Sequence, residues 1–164
     1  MKEFPSDYQL DFKNRRALVT GAGKGIGREI AVQLHRFNAQ VVAVARTESD
    51  LKALKDEIGC ETIIAELGDS TEAKRAAEEA GDIDLLVNNA AIAILQSFLK
   101  TTVEAWDATM AVNLRAIVII SQIVAARMIA EVSAVQSSTS PAWRGSKPCA
   151  IMQRIALRRP VWIS

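Results

Sequence analysis

The chain contains one tyrosine, Tyr8, and one histidine, His35, among 164 residues. Tyr8 precedes the first apolar run. His35 falls in a helical pattern and reads as a surface residue, not a ligand or base. The two cysteines, Cys60 and Cys149, lie far apart and show neither metal nor disulfide spacing, so a reducing, cytoplasmic setting is expected. Charge of either sign is not in surplus: 20 Lys and Arg face 19 Asp and Glu, for a net charge of +1. That balance predicts no nucleic-acid or other polyanion partner. Met1 to Asp11 has no apolar core of the kind a secretory signal carries. No apolar stretch reaches membrane-spanning length without a charge, so no membrane span is expected.

What is present fits one globular domain with a real core: 49% of residues are hydrophobic and 24% charged. The organising stretch is Ala17-Leu-Val-Thr-Gly-Ala-Gly-Lys-Gly-Ile-Gly27. A short apolar run turns through Gly21, Gly23 and Gly25 into a helical pattern. Strand, glycine turn and helix start, in that order, build a phosphate cradle. Glycine allows positive φ and close approach, and the first helical amides attract an anion. A loose glycine pattern alone is also compatible with an ordinary strand-to-helix turn.

The rest of the pattern alternates. Arg16 to Thr20 reads as a first strand and Ile26 to Phe37 as a helix closed by Asn38. Gln40 to Ala45 is an unbroken apolar run suited to a strand covered on both faces. Glu48 to Ile58 reads as a helix, capped by Thr47 or Ser49 and stopped by Gly59. Glu61 to Leu67 is a third strand, Ser70 caps a polar helix to about Ala80, and Ile83 to Val87 is a fourth strand. Thr101 or Thr102 caps a long helix to about Ile129. Alternating strands and helices predict an α/β, Rossmann-type doubly wound parallel sheet. The expected division is a lead-in over 1–13, a nucleotide-binding domain over 14–130 and a divergent tail over 131–164. Gly21 to Gly27, Arg46, Asp69 and Asn88 all follow strand ends, so they are expected along one crevice.

The cofactor choice is read at the end of the second strand. An NAD cradle places an acid about twenty residues on; here Arg46 and Thr47 stand instead. Arginine pairs with a 2′-phosphate, Thr47 can donate to it, and Lys24 adds a second cation. These residues favour NADP(H). The bland alternative makes Arg46 and Lys24 solvated surface charges.

Thr20-Gly-Ala-Gly-Lys-Gly-Ile-Gly27, Asn88-Asn-Ala-Ala91 and Val112-Asn-Leu-Arg-Ala116 together resemble the short-chain dehydrogenase/reductase family. Within it, Val41 to Thr47 and Asp84 to Ala91 are most similar to the L-xylulose reductase and tetrameric carbonyl reductase group. The resemblance covers roughly 12–130. It implies reduction of a carbonyl, dicarbonyl or ketose by NADPH, and a homotetramer. It implies that Gly21, Gly25 and Gly27 meet the pyrophosphate, that Asn88 and Ala90 line the ribose, and that Ile26 and Leu67 complete the cofactor set. Asn113 would belong to the catalytic set.

The tail departs from that family. Its members carry a catalytic serine on the next strand, then Y-x-x-x-K, the tyrosine acting as general acid. Here Ser137, Ser138 and Ser140 fall near the serine's place, in a loop-like stretch with no apolar strand before it. Trp143 stands four residues before Lys147. The sheet is therefore expected to be incomplete after the fourth strand and the long helix, leaving the fourth strand as an edge. Read one frame over, with the third base of each codon joined to the next two, Lys147 to Ile163 can spell A-L-R-D-H-A-A-Y-C-A-S-K-A-G-L-D. The tyrosine codon straddles Arg154 and Ile155, and the lysine codon straddles Arg158 and Arg159, at the missing spacing. Synonymous choice gives freedom, but Trp162 followed by Ile163 forces an acidic residue. A frame-shifted or mis-spliced reductase reading is one expectation. A genuine tail, with Met152 to Trp162 as a basic amphipathic segment, is the other. Two functions stay open: an NADP(H)-dependent reductase, and a non-catalytic nucleotide-binding or partner-binding remnant.

Overall fold

Leu18 and Val19 are adjacent in sequence and buried on opposite sides of one sheet, which sets the layering of the molecule. The computed structural model describes residues 11–138, with side chains through 131. Four parallel strands form the sheet: β1 (Arg16–Thr20), β2 (Gln40–Ala45), β3 (Glu61–Ile64) and β4 (Leu85–Val87). Their order is β3-β2-β1-β4. Helices α1 (Gly25–Arg36), α2 (Glu48–Ile58) and α3 (Ser70–Glu79) connect them. A 3₁₀ turn (Phe98–Lys100) follows β4. The chain then enters α4 (Val103–Met110), a π-helical turn (Ala111–Ala116) and α5 (Ile117–Ser138), which run on continuously.

The apolar run of β2 shows why the strands read so clearly. Val41 and Ala43 pack with Val19, Ala31, Leu51 and Leu54 on the face covered by α1 and α2. Val42 and Val44 pack with Leu18, Ile63, Ala73, Ile120 and Val124 on the face covered by α3 and α5. A strand buried on both faces needs no polar alternation. The crossover through α3 carries the chain from β3 past two strands to β4, so a switch point opens between β1 and β4 at their carboxyl ends.

β1, β2 and α2 begin and end where the sequence places them. Other boundaries differ, α1 by one residue at each end. β3 stops at Ile64, before the expected Leu67, and β4 starts at Leu85, after the expected Ile83; both are end strands, each paired on one side among the described residues. Asp69, not Ser70, caps α3: its carboxylate accepts from the Thr71 and Glu72 amides. Thr47 occupies the cap position of α2 but makes no side-chain cap bond. The long helix passes Ile129 and continues to Ser138; neither glycine nor proline interrupts the sequence before Pro141. Ser137 and Ser138, expected in a loop-like stretch, are thus the last residues of α5. Tyr8, Ser140, Trp143, Lys147 and the tail beyond 138 lie outside the described residues.

The stretch Val103–Glu131 is long and apolar enough, by length and composition, to cross a membrane. Its inner face instead packs on the sheet through Ala116, Ile120 and Val124, and Arg127 reaches out to the Ala77, Glu78 and Gly81 carbonyls at the end of α3. These contacts fasten one face of it to the sheet and to α3.

Candidate cofactor site

The first strand ends in a buried hydroxyl. Thr20 donates to the Val87 carbonyl (3.3 Å) and accepts from the Asn89 and Ala90 amides (3.0 and 3.1 Å). Asn89 returns the connection, its Nδ2 donating to the Thr20 and Gly21 carbonyls at 3.1 and 3.3 Å. The ends of β1 and β4 are therefore tied across the switch point. Neither Thr20 nor Asn89 stood out in the sequence as a site residue. A threonine in an apolar run reads as strand, and the two asparagines of Asn88-Asn89 look alike.

The three glycines divide by cause. Gly21 has φ +66°, and a Cβ there would sit 2.8 Å from Ala90 Cα and 2.9 Å from Asn89 Nδ2. A Cβ on Gly27 would overlap Asn89 Nδ2 and the Gly21 carbonyl. These two glycines let the cradle close on the Asn89–Ala90 turn. Gly25 has φ +58° and nothing within 4 Å of a Cβ position. It faces open space at the first residue of α1. That helix has no side-chain cap and no acidic residue in its first turn, so its positive end is left for an anion. Ile26 beside it is exposed.

The other expected residues gather around this end of the sheet. Arg46 and Thr47 follow β2 directly, and Leu67 is buried beyond β3. Asn88 Nδ2 donates to Ser121 Oγ on α5 (3.1 Å), while its Oδ1 is buried without a hydrogen-bond partner among the described residues. Lys24 Nζ lies 3.4 Å from Asp50 Oδ2 and Arg46 Nη1 lies 3.8 Å from Glu66 Oε2. The Lys24 contact is an ion pair by distance without hydrogen-bond geometry. Asp69, at the next strand-to-helix turn, is held below its ordinary value by the Thr71 and Glu72 amides.

Asn113 sits in the π-helical turn. Its Nδ2 donates to the Ile92 carbonyl and its Oδ1 accepts from the Ile92 amide. π turns of this kind recur at functional sites because they re-aim one residue without ending the helix. Arg115 on the same turn donates to the Gly68 carbonyl at 3.0 Å, fastening this turn to the loop before α3. A shallow apolar groove of about 770 Å³ lies beside Gly68, Met110, Leu114 and Arg115 and includes no cradle residue.

An uncapped helix end, a glycine facing open space, an orphaned buried acceptor at Asn88 and two cations beyond the strand ends fit a phosphorylated dinucleotide. What the described residues do not include is a tyrosine.

The sequence model of the short chain dehydrogenase family matches residues 15–139. L-xylulose reductase of Bos taurus is 53% identical over 122 residues, covering 74% of this chain and 50% of the relative. Carbonyl reductase (NADPH) 2 of Sus scrofa is 52% identical over 122 residues, with the same coverage. A metagenomic short-chain oxidoreductase solved in complex with NADP superposes with a TM-score of 0.69 at 33% identity, covering 73% of this chain and 58% of that one. The chain spans about half the length of the curated relatives it matches.

Proposed function

This chain belongs to the short chain dehydrogenase family, and we propose that it carries the cofactor half of an NADP(H)-dependent reductase of small carbonyl, dicarbonyl or ketose substrates, with its own turnover impaired. The observation that carries the reading is the open, uncapped amino end of α1 under Gly25, with Arg46 and Thr47 one strand away in place of the acid an NAD site uses. The reductase names of the relatives and the NADP in the solved structure support it.

NADPH, when bound, supplies a hydride to a carbonyl carbon. The chain's own residues do the rest of the binding. The α1 amides and Gly25 hold the pyrophosphate, and Lys24, Arg46 and Thr47 hold the 2′-phosphate. Gly21 and Gly27 keep the cradle shut on Ala90, Leu67 would complete the cofactor set, and Asn88 Oδ1, buried and unpartnered among the described residues, would be the acceptor for the ribose. Asn113 orders the segment after β4. Reduction also needs a proton at the new alkoxide, and the family resemblance expects it from the tyrosine of Y-x-x-x-K. This chain has Trp143 before Lys147 instead. The tyrosine and lysine are encoded, on this reading, in the shifted frame across Arg154–Ile155 and Arg158–Arg159.

The second reading is a nucleotide-binding remnant without turnover, favoured by the missing tyrosine. Exposed Trp106, Leu114 and Val118 along α4, the π-helical turn and α5 offer the apolar side that assembly of a homotetramer would cover. A reducing cytoplasm suits the buried, unpaired Cys60.

Sequencing the coding DNA and expressing both frames tests the reading. The restored-frame protein should oxidise NADPH with L-xylulose or a small dicarbonyl, and the 164-residue chain should not. Equal turnover by both would overturn the impairment. A shifted frame that lacks the tyrosine codon would end the frame-shift account.

A further inference from the structure

Both cations assigned to the 2′-phosphate face a carboxylate: Arg46 faces Glu66 and Lys24 faces Asp50. We propose that Glu66 and Asp50 determine specificity by competing with the phosphate for these cations, so that they set how strongly the chain prefers NADPH to NADH. The proposal rests on the NADP(H) reading above and adds to it two residues whose effect opposes binding.

The geometry follows from the sheet. β2 and β3 are parallel neighbours with Ala45 opposite Ile64, and the Ala65 amide donates to the Ala45 carbonyl at 3.0 Å. Arg46 and Glu66 therefore emerge together just past adjacent carboxyl ends. Glu66 is more than half exposed and reaches the Gly68 amide at 3.4 Å, so its side chain can swing away when a ligand arrives. Asp50 cannot. It lies in the first turn of α2, packed so closely on the glycine loop that a Cβ on Gly23 would come within 3.1 Å of Asp50 Cβ. Its Oδ2 is buried without a hydrogen bond, and Lys24 is the cation beside it.

The charges of the four side chains cancel. A phosphate carrying about −1.5 to −2 charges meets no net positive charge from these four side chains until a carboxylate is moved or neutralised. An unphosphorylated ribose is indifferent to that field. The carboxylates therefore act on one cofactor and not on the other, which separates this role from packing or from contact with the adenine.

Calorimetric titration of the 164-residue chain with NADPH and with NADH tests the proposal. Glu66→Gln should tighten NADPH about threefold, the scale of one exposed ion pair, and leave NADH unchanged. Asp50→Asn should act in the same direction through Lys24. In Glu66→Gln the NADPH affinity should also fall more steeply with added salt. Loss of affinity for both cofactors in Glu66→Gln would mean that Glu66 holds the adenine or its loop, and would overturn the proposal. So would NADPH-selective binding that neither substitution changes. A wild-type chain that binds neither cofactor would overturn the function reading together with this one.

Discussion

Asn113 and Ile92 exchange two hydrogen bonds, each 2.9 Å long, between a side-chain amide in the π-helical turn and the backbone just past β4. The reciprocal pair satisfies both backbone groups of one residue in a segment with no ladder of its own. Asn113→Ala should therefore cost about 1–2 kcal/mol of stability, the net of two such bonds. It should also speed exchange of the Ile92 amide. Asn113→Asp keeps the acceptor and should keep most of that protection. Unchanged exchange in Asn113→Ala would mean that the amide does not hold the segment.

The cradle glycines should separate by mechanism. Gly27→Ala drives a methyl group into Asn89 and the Gly21 carbonyl. Overpacking costs roughly 1–3 kcal/mol where side chains can yield, and backbone yields less. Gly25→Ala meets open space and pays about 1–2 kcal/mol for its left-handed backbone. It places the methyl where the phosphate is expected, so its NADPH affinity should fall more than its stability. Urea midpoints and NADPH titrations of the two variants check the order. The reverse order would move the phosphate away from Gly25.

Acid should weaken the fold through identifiable carboxylates. Glu61 lies below its ordinary value of 4.5 because the Arg16 guanidinium bonds it, and Asp69 lies below its ordinary 3.8 because two helix amides do. A carboxyl lowered by folding adds stability that is fully present above its unfolded value. That stability is lost as pH falls through the lower, folded value. Urea midpoints should hold from pH 7 to about 5 and then fall. Glu61→Gln should start lower at pH 7 and converge with wild type in acid. Parallel curves would remove Glu61 from the acid limb.

How much was legible in the sequence depended on burial. β1, β2 and α2 are legible because Val41 to Val44 and Leu51 to Ile58 carry unambiguous apolar periods. β3 is harder because Ile64 is exposed at a sheet end, so its apolar run overstates its pairing. The π turn hides because a helix period does not reveal one extra residue per turn. In the site, Gly25, Arg46 and Asn113 can be picked out by motif. Thr20 and Asn89 cannot, since their role is a bond between strands far apart in sequence. Asp50 and Glu66 escape notice for the same reason: the motif presents Lys24 and Arg46 as cations, and folding gives each a counter-charge.

The most direct test is titration of the 164-residue chain with NADPH and NADH, beside Arg46→Asp. Saturable binding of NADPH by a soluble species, with NADH much weaker and Arg46→Asp erasing the preference, is the predicted result. Equal binding of the two cofactors, or no saturable binding of either, would contradict the account.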